Sequence, residues 1–518
     1  MRILLALRHS GYTRHFGSTI ELLGERGHEI VLVLGKHWRQ DESIQGAVAK
    51  LGLDVPGLRL RDGVETHRRV ERDLASALRN YLAYLWFLEP GLARAKKPRE
   101  RSSGNVPPSL RTVSAAAAEN ALSLRFLESK VAELERALPL ADSYRHLVVE
   151  ENPDAVVVSP LLERGVPQIG YLRAARELGI PTGLCVASWD NLTNKGPLFG
   201  PIDLVTVWND SQKREAVELH RVPPERVAVT GAPLYDKWFG LSPARSREAF
   251  CRHVGLPSDA PYLLYVCSSG FIAPNEEAWV LRWVRHVRGS AELADVPILV
   301  RPHPQKELST ESAPVRRLAA IPGVVIHPRG GQQAVTEGAL ADYFDSMYHS
   351  AAVIGVNTSA MIDAAFTGRG IYTLLARRFQ PTQEGMLHFG HLLQAGGGLV
   401  HATRSADDHV EALARAVRGD DSEEAATRAQ RFLADFIRPQ GLDQPSTPRL
   451  ADALESLASR PRRPPHPHPD PPREWLDSLA ADLEPLFHIR KGRSIASSKA
   501  VVRRDGRRQK AKPPSRSA

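Results

Sequence analysis

Residues 353–374, VIGVNTSAMIDAAFTGRGIYTL, allow few structures. Val353 and Ile354 end an apolar run of strand type, and residues 355–357 make a turn. Thr358 or Ser359 is then placed to cap a helix. Ala360, Ile362, Ala364, Ala365 and Phe366 give that helix an apolar side. Gly368 and Gly370 stop it, and IYTLL begins the next strand. A helix start with free N–H groups and two hydroxyls is a natural seat for phosphate. Asp363 follows Ser359 by four residues, one turn further along roughly the same face. A carboxylate there can accept hydrogen bonds from a sugar hydroxyl. The plainer reading is an ordinary βαβ unit with a capped helix and a surface Asp.

The same alternation runs through most of the chain. Residues 2–7 read as a buried strand, HSGYTRH as a turn, residues 16–26 as a helix and IVLVLG as a second strand. It resumes at Asp154 with AVVVSP, PQIGYLRAARELG and IPTGLCVAS. After a linker, PYLLYVCSSG starts a new series, followed by a helix at 275–287, ILVRPHP, and short strands near Val324 and Val353. Strands alternating with helices twice over predict an α/β protein of two Rossmann-like, doubly wound domains facing across a cleft. The expected bounds are 1–240 and 260–440, with a closing helix at 441–460 and a tail at 461–518.

Two segments depart from the alternation. Residues 64–147 form a helical insert in the first domain, with helical spacing in ERDLASALRNYLAYLWFL and AENALSLRFLESKVAELERAL. Between them, ARAKKPRERSSGNVPPS reads as a loop or disordered link. The apolar cluster from Leu85 to Leu88 reads as core rather than as an exposed surface. The tail opens Pro-rich, holds a short amphipathic helix, REWLDSLAADLEPLF, and ends in a basic stretch expected to be disordered.

Charge is concentrated in that tail. From residue 461 onward there are 14 Lys/Arg and 6 Asp/Glu, so of the net charge of +9 the rest of the chain carries only +1. A basic tail on a near-neutral body suits a solubilising role or peripheral contact with an anionic membrane; nucleic acid is not the expected partner. Cys185, Cys251 and Cys267 are far apart and make no metal-type pair, which fits a reducing compartment. The apolar start is too short for a secretory signal, and no stretch approaches a membrane span. A cytoplasmic location is expected, with the inner membrane face as the place a tail contact would put the protein.

Candidate site residues gather where strands end. His9 and His15 follow the first strand, and imidazole titrates near neutral pH, so either is a candidate general base. Trp189, Asp190 and Asn191 end one strand and Asn209 another, the positions a cleft lining requires; helix capping is the competing role for the last three. Ser268, Ser269 and Gly270 form a small-residue turn suited to close approach of a ligand. The prolines of RPHP hold Arg301 and His303 at a fixed geometry, a plausible phosphate grip. GxGxxG is missing, so a dinucleotide site is not indicated.

Together, the two Rossmann-like domains, ERGHEI, VTGAPLYDKW, RPHP and NTSAMIDAAFTG resemble glycosyltransferases of the GT-B fold. More narrowly, RPHP with the Ser-bearing helix is similar to CDP-glycerol glycerophosphotransferases and to bacterial capsule sialyl- and Kdo-type transferases. The resemblance covers residues 1–460 less the insert. It implies that Arg301, His303, Thr358 and Ser359 bind donor phosphate and that Ser268, Ser269 and Gly270 line the donor cleft. Asp363 stands where many GT-B enzymes have a Glu that holds the ribose hydroxyls. His9 falls on the loop of the catalytic base, with His15 the second candidate, although the Gly-His-x-x-Pro version of that loop is missing. The implied reaction is direct displacement at the donor carbon, without metal or other cofactor. The donor would be a nucleotide-sugar or CDP-polyol, and the acceptor a cell-surface polysaccharide or lipid-linked molecule. Two other readings share the fold. One is a UDP-N-acetylglucosamine 2-epimerase drawing on Asp190, Asp210, Asp236 and Asp363. The other is a non-catalytic nucleotide-sugar-binding scaffold tethered by its tail.

Overall fold

The computed structural model describes residues 1–35, 55–64, 69–161, 167–304, 312–330, 334, 336–466 and 471–487. The basic end of the tail, expected to be disordered, lies outside the described residues. Two parallel sheets organise the chain. The first contains β1 (Arg2–Leu7), β2 (Glu29–Leu34), β3 (Leu58–Asp62), β4 (Ala155–Ser159), β5 (Thr182–Cys185), β6 (Leu204–Val207) and β7 (Val227–Val229), in the order β3-β2-β1-β4-β5-β6-β7. The second contains β8 (Leu263–Val266), β9 (Ile298–Arg301), β10 (Val324–Ile326), β11 (Ala352–Ile354), β12 (Gly370–Leu374) and β13 (His401–Thr403), in the order β10-β9-β8-β11-β12-β13.

The continuous apolar strands follow from this arrangement, because a parallel sheet is covered on both faces. Side chains alternate across it. Leu4, Ala6, Val31 and Val33 turn toward the core that the insert shares, while Ile3, Leu5, Leu32 and Leu34 turn to the opposite core. Register keeps the two sets apart, with Leu4 opposite Val31 and Val156. In each sheet the strand order reverses once, between β1 and β4 and between β8 and β11. Ligands of such folds bind outside the carboxyl ends of the strands at that reversal.

The closing helix, Ser446–Ala458, belongs to the first domain. Leu450, Ala451, Leu454 and Leu457 complete the core built on Ile3 and Leu5. Asp236 anchors its start, accepting from the backbone N–H of Ser446 at 3.0 Å and of Thr447 at 2.6 Å, and it pairs with Arg438 at 2.8 Å.

Three expectations change. The charged link inside the insert contains a helix, Lys96–Ser103, with Pro98 and Ser102 buried. It is pinned by Arg101, which donates to the carbonyl of Asn194 and stacks 4.7 Å from the Phe271 ring centroid. The tail is not wholly detached, because Leu476, Leu479, Leu483 and Phe487 of the helix Arg473–Phe487 pack on the insert's core. The interdomain linker holds the helix Arg247–Val254, whose Phe250 and Val254 join the second domain's core. As expected, Trp86 and Phe87 are core residues. No helix among the described residues is long and apolar enough to cross a membrane.

Candidate functional site

A cavity of about 800 Å³ opens between the carboxyl ends of the two sheets. The turn after β1 and the segment after β5 form one wall; the turns after β8, β9 and β11 form the other. The sequence candidates divide between this lining and the framework behind it.

Of the two histidines after β1, only His15 lines the cavity. His9 serves the turn itself, its Nδ1 accepting from the N–H of Gly11 at 3.1 Å. His9→Ala should therefore cost about 1 kcal/mol of stability, the scale of a lost cap, and leave nucleotide affinity unchanged; chemical unfolding and a binding titration check both parts. His15 accepts from Arg14 Nε at 3.2 Å. Its Nδ1 is buried without a hydrogen-bond partner. Burial, and then the charge of Arg14, push its pKa well below that of an ordinary histidine, so the ring is neutral at neutral pH.

Trp189 and Asp190 line the cavity; Asn191 and Asn209 do not. Asn191 Oδ1 accepts from the N–H groups of Ala187 and Ser188, both at 3.2 Å. Asn209 caps the helix Asp210–Glu218 through the N–H of Gln212 and donates to the carbonyl of Phe436. The capping role thus falls to Asn209. Asp190 makes no cap bond. It accepts from Ser188 Oγ at 2.8 Å and Asn194 Nδ2 at 3.1 Å. Burial raises its pKa, but Lys195, His388 and these hydrogen bonds outweigh burial and bring it down to about 2. Asp190 is a standing anion.

On the opposite wall, Ser269 lines the cavity while Ser268 and Gly270 do not. Ser268 is buried; its N–H donates to Glu276 at 2.7 Å, and its Oγ accepts from the N–H of Asn357 at 3.4 Å, tying the turn after β8 to the turn after β11. Arg301 and His303 both line the cavity. Arg301 is 5% exposed, donates to Asp342 Oδ2 at 3.1 Å and lies 5.1 Å from the Tyr343 ring centroid. The β9 end thus delivers a braced guanidinium, as RPHP suggests.

Thr358, Ser359 and Asp363 also line the cavity, with two differences from expectation. The helix is only Ala360–Ala365, and Ser359 makes no side-chain cap; Thr358 Oγ1 accepts from the N–H of Ala360 at 3.4 Å. Asp363 is half-buried rather than a plain surface residue. Its Oδ1 accepts from Tyr235 Oη at 3.0 Å and its Oδ2 from Tyr343 Oη at 2.9 Å. Burial raises its pKa to about 6 against the opposing effect of the two phenols.

Sequence reading missed Tyr235, Tyr343, Arg14, Lys195, Arg101 and His388, which also line the cavity. Tyr235 lay within VTGAPLYDKW, but its partnership with Asp363 spans 128 positions. His388 sits edge-on to Trp189 at 4.7 Å, and burial pushes its pKa down to about 4; no motif surrounds it. The site therefore offers the neutral imidazoles of His15 and His388, the standing carboxylate of Asp190, the carboxylate of Asp363 with its pKa raised to about 6, Glu21, and several cations suited to an anionic ligand.

No protein-family model and no curated protein matches the chain. Solved structures do. A Listeria monocytogenes protein named as a UDP-N-acetylglucosamine 2-epimerase superposes with a TM-score of 0.51 at 10% identity, covering 88% of this chain and 96% of that one. A glycosyltransferase from Rickettsia africae gives a TM-score of 0.50 at 10% identity, covering 89% and 99%. At such identity the likeness is one of fold, and with the two facing parallel sheets it shows that the chain has the GT-B architecture.

Proposed function

We propose that the chain is a nucleotide-sugar-dependent enzyme: a glycosyltransferase, or a glycerophosphotransferase-like enzyme, that moves a sugar or polyol phosphate onto a cell-surface polysaccharide or lipid-linked acceptor. The observation that carries this reading is the division of chemistry across the cavity. The second domain presents Arg301 and His303 beside Asp363, a set suited to donor phosphate and ribose. The first presents the neutral His15, the candidate base, and the anionic Asp190, which can accept a hydrogen bond from an acceptor hydroxyl and orient it. Bond cleavage at the donor would leave charge on the nucleotide phosphate, where fixed cations stabilise it without metal or cofactor. The narrower resemblance to CDP-glycerol and capsule transferases rests on RPHP and NTSAMID alone. On this reading the enzyme works in the cytoplasm, with the basic tail at the inner membrane face.

An epimerase is the second reading, favoured by the Listeria likeness in fold. Against it, only two of the four carboxylates it would draw on line the cavity: Asp236 anchors the closing helix and Asp210 is exposed.

A thermal-shift panel of CMP, CDP, UDP, GDP and dTDP tests the proposal, because a ligand bound only by the native state raises its stability. One nucleotide should raise the midpoint of the wild type, and His303→Ala should weaken that nucleotide by about tenfold to a hundredfold, the loss of one charge-assisted hydrogen bond. No shift with any nucleotide would remove the donor site. Exchange of the sugar C2 proton without an acceptor would establish the epimerase, and binding without turnover of any donor would leave a scaffold.

A further inference from the structure

We propose that His253, His327 and Asp342 form a binding site for a transition-metal dication of the zinc class, behind the cleft. The three come from different elements: the last turn of the helix Arg247–Val254, the residue after β10, and the helix Glu337–Tyr348. None of them lines the cavity.

Geometry is the first argument. His253 Nε2 lies 3.2 Å from Asp342 Oδ1, and His327 Nε2 lies 3.4 Å from Asp342 Oδ2. One ligand atom from each residue falls within 4.8 Å of the others. Zinc bonds to imidazole nitrogen and carboxylate oxygen of about 2.0–2.2 Å place tetrahedral neighbours about 3.3–3.5 Å apart. Two of the three separations thus already lie close to what a bound ion needs.

The second argument is the state of Asp342. Its side chain is 8% exposed, and Oδ1 accepts no hydrogen bond. A buried carboxylate oxygen left without one is costly unless something cationic meets it. Arg301 occupies the other oxygen, Oδ2, at 3.1 Å. Arg301 thus orients the carboxylate through Oδ2, while Oδ1 faces His253 Nε2 with no hydrogen bond between them, an arrangement into which an ion can come as outer partners prepare a metal ligand. Arg245 stands 4.0 Å from Oδ1, but its closer partner is Asp345 at 3.2 Å, so its charge is already met.

The third argument is access and chemistry. The side chains of His253 and His327 are 44% and 25% exposed, which gives an ion a route in and room for water to complete its shell. Two imidazoles and one carboxylate suit zinc, cobalt or nickel better than magnesium or calcium, which take oxygen.

The test uses the full chain without an affinity tag, stripped with chelator and titrated with Co²⁺. The expected result is one bound equivalent with the visible absorption of a four- or five-coordinate ion, displaced by Zn²⁺. His253→Gln and His327→Gln should each weaken binding by about a hundredfold or more, since even outer partners are worth ten- to a hundredfold. His253 is exposed enough for its variant to fold, and an unchanged thermal midpoint in chelator confirms that. The variants also exclude binding by His466 and His468 of the Pro-His run. No stoichiometric cobalt binding, or a spectrum that persists in the double variant, overturns the proposal.

Discussion

Arg301→Ala is expected to lower stability by about 3–5 kcal/mol and to weaken the best-bound nucleotide by at least about tenfold to a hundredfold. The stability loss follows from burial. Arg301 and Asp342 have side-chain exposures of 5% and 8% at 3.1 Å separation. Removing one member of such a pair leaves the other charge buried and costs about 3–5 kcal/mol. The binding loss follows from the proposed phosphate contact, since a hydrogen bond to a charged group contributes about 1.5–3 kcal/mol. Arg301→Lys separates the two effects. It keeps a charge near Asp342 but loses the planar fork, so stability should recover more than affinity does. Urea unfolding and a nucleotide titration supply the readings. An Arg301→Ala protein that binds nucleotide like the wild type would remove Arg301 from the donor site.

The braced position of Arg301 shows how far the sequence could be read. RPHP announces an arginine at a strand end because prolines fix the backbone locally. The strands are legible for a similar reason: a two-sided parallel sheet demands unbroken apolar runs, and IVLVL and AVVVS are such runs. What Arg301 leans on is not local. Asp342 lies 41 positions away, on the helix Glu337–Tyr348, which none of the motifs includes. The same limit explains the asparagines. Asn191 and Asn209 end strands just as Trp189 and Asp190 do, and only the fold decides which side chains turn inward to backbone groups. The charged link at 93–109 reads as a loop because its composition opposes burial. It contains a helix because Arg101 finds a carbonyl and an aromatic face on elements distant in sequence.

Asp363 carries the second large expectation. Its folded pKa of about 6 lies above the ordinary carboxylate value of 3.8. Between those values the folded state holds a proton that the unfolded chain has released. Stability contributed by this group is therefore complete below about pH 4 and is lost as pH rises, by about 2–3 kcal/mol once pH passes 6. The sign is opposite to that of a salt-bridged carboxylate. Asp363→Asn removes the charge yet can still accept from one phenol and donate to the other, so it should flatten this part of the profile and be more stable than the wild type at pH 7. Nucleotide binding should respond the other way. A ribose hydroxyl donating to Asp363 favours the ionised form, so affinity should rise from pH 5 to pH 7 in the wild type. In Asp363→Asn it should be weaker throughout and lack that rise. Thermal midpoints across this range, with and without nucleotide, measure both slopes. If the stability slope survives in Asp363→Asn, another group titrates there. If only the affinity slope survives, Asp363 belongs to the fold and not to the donor site.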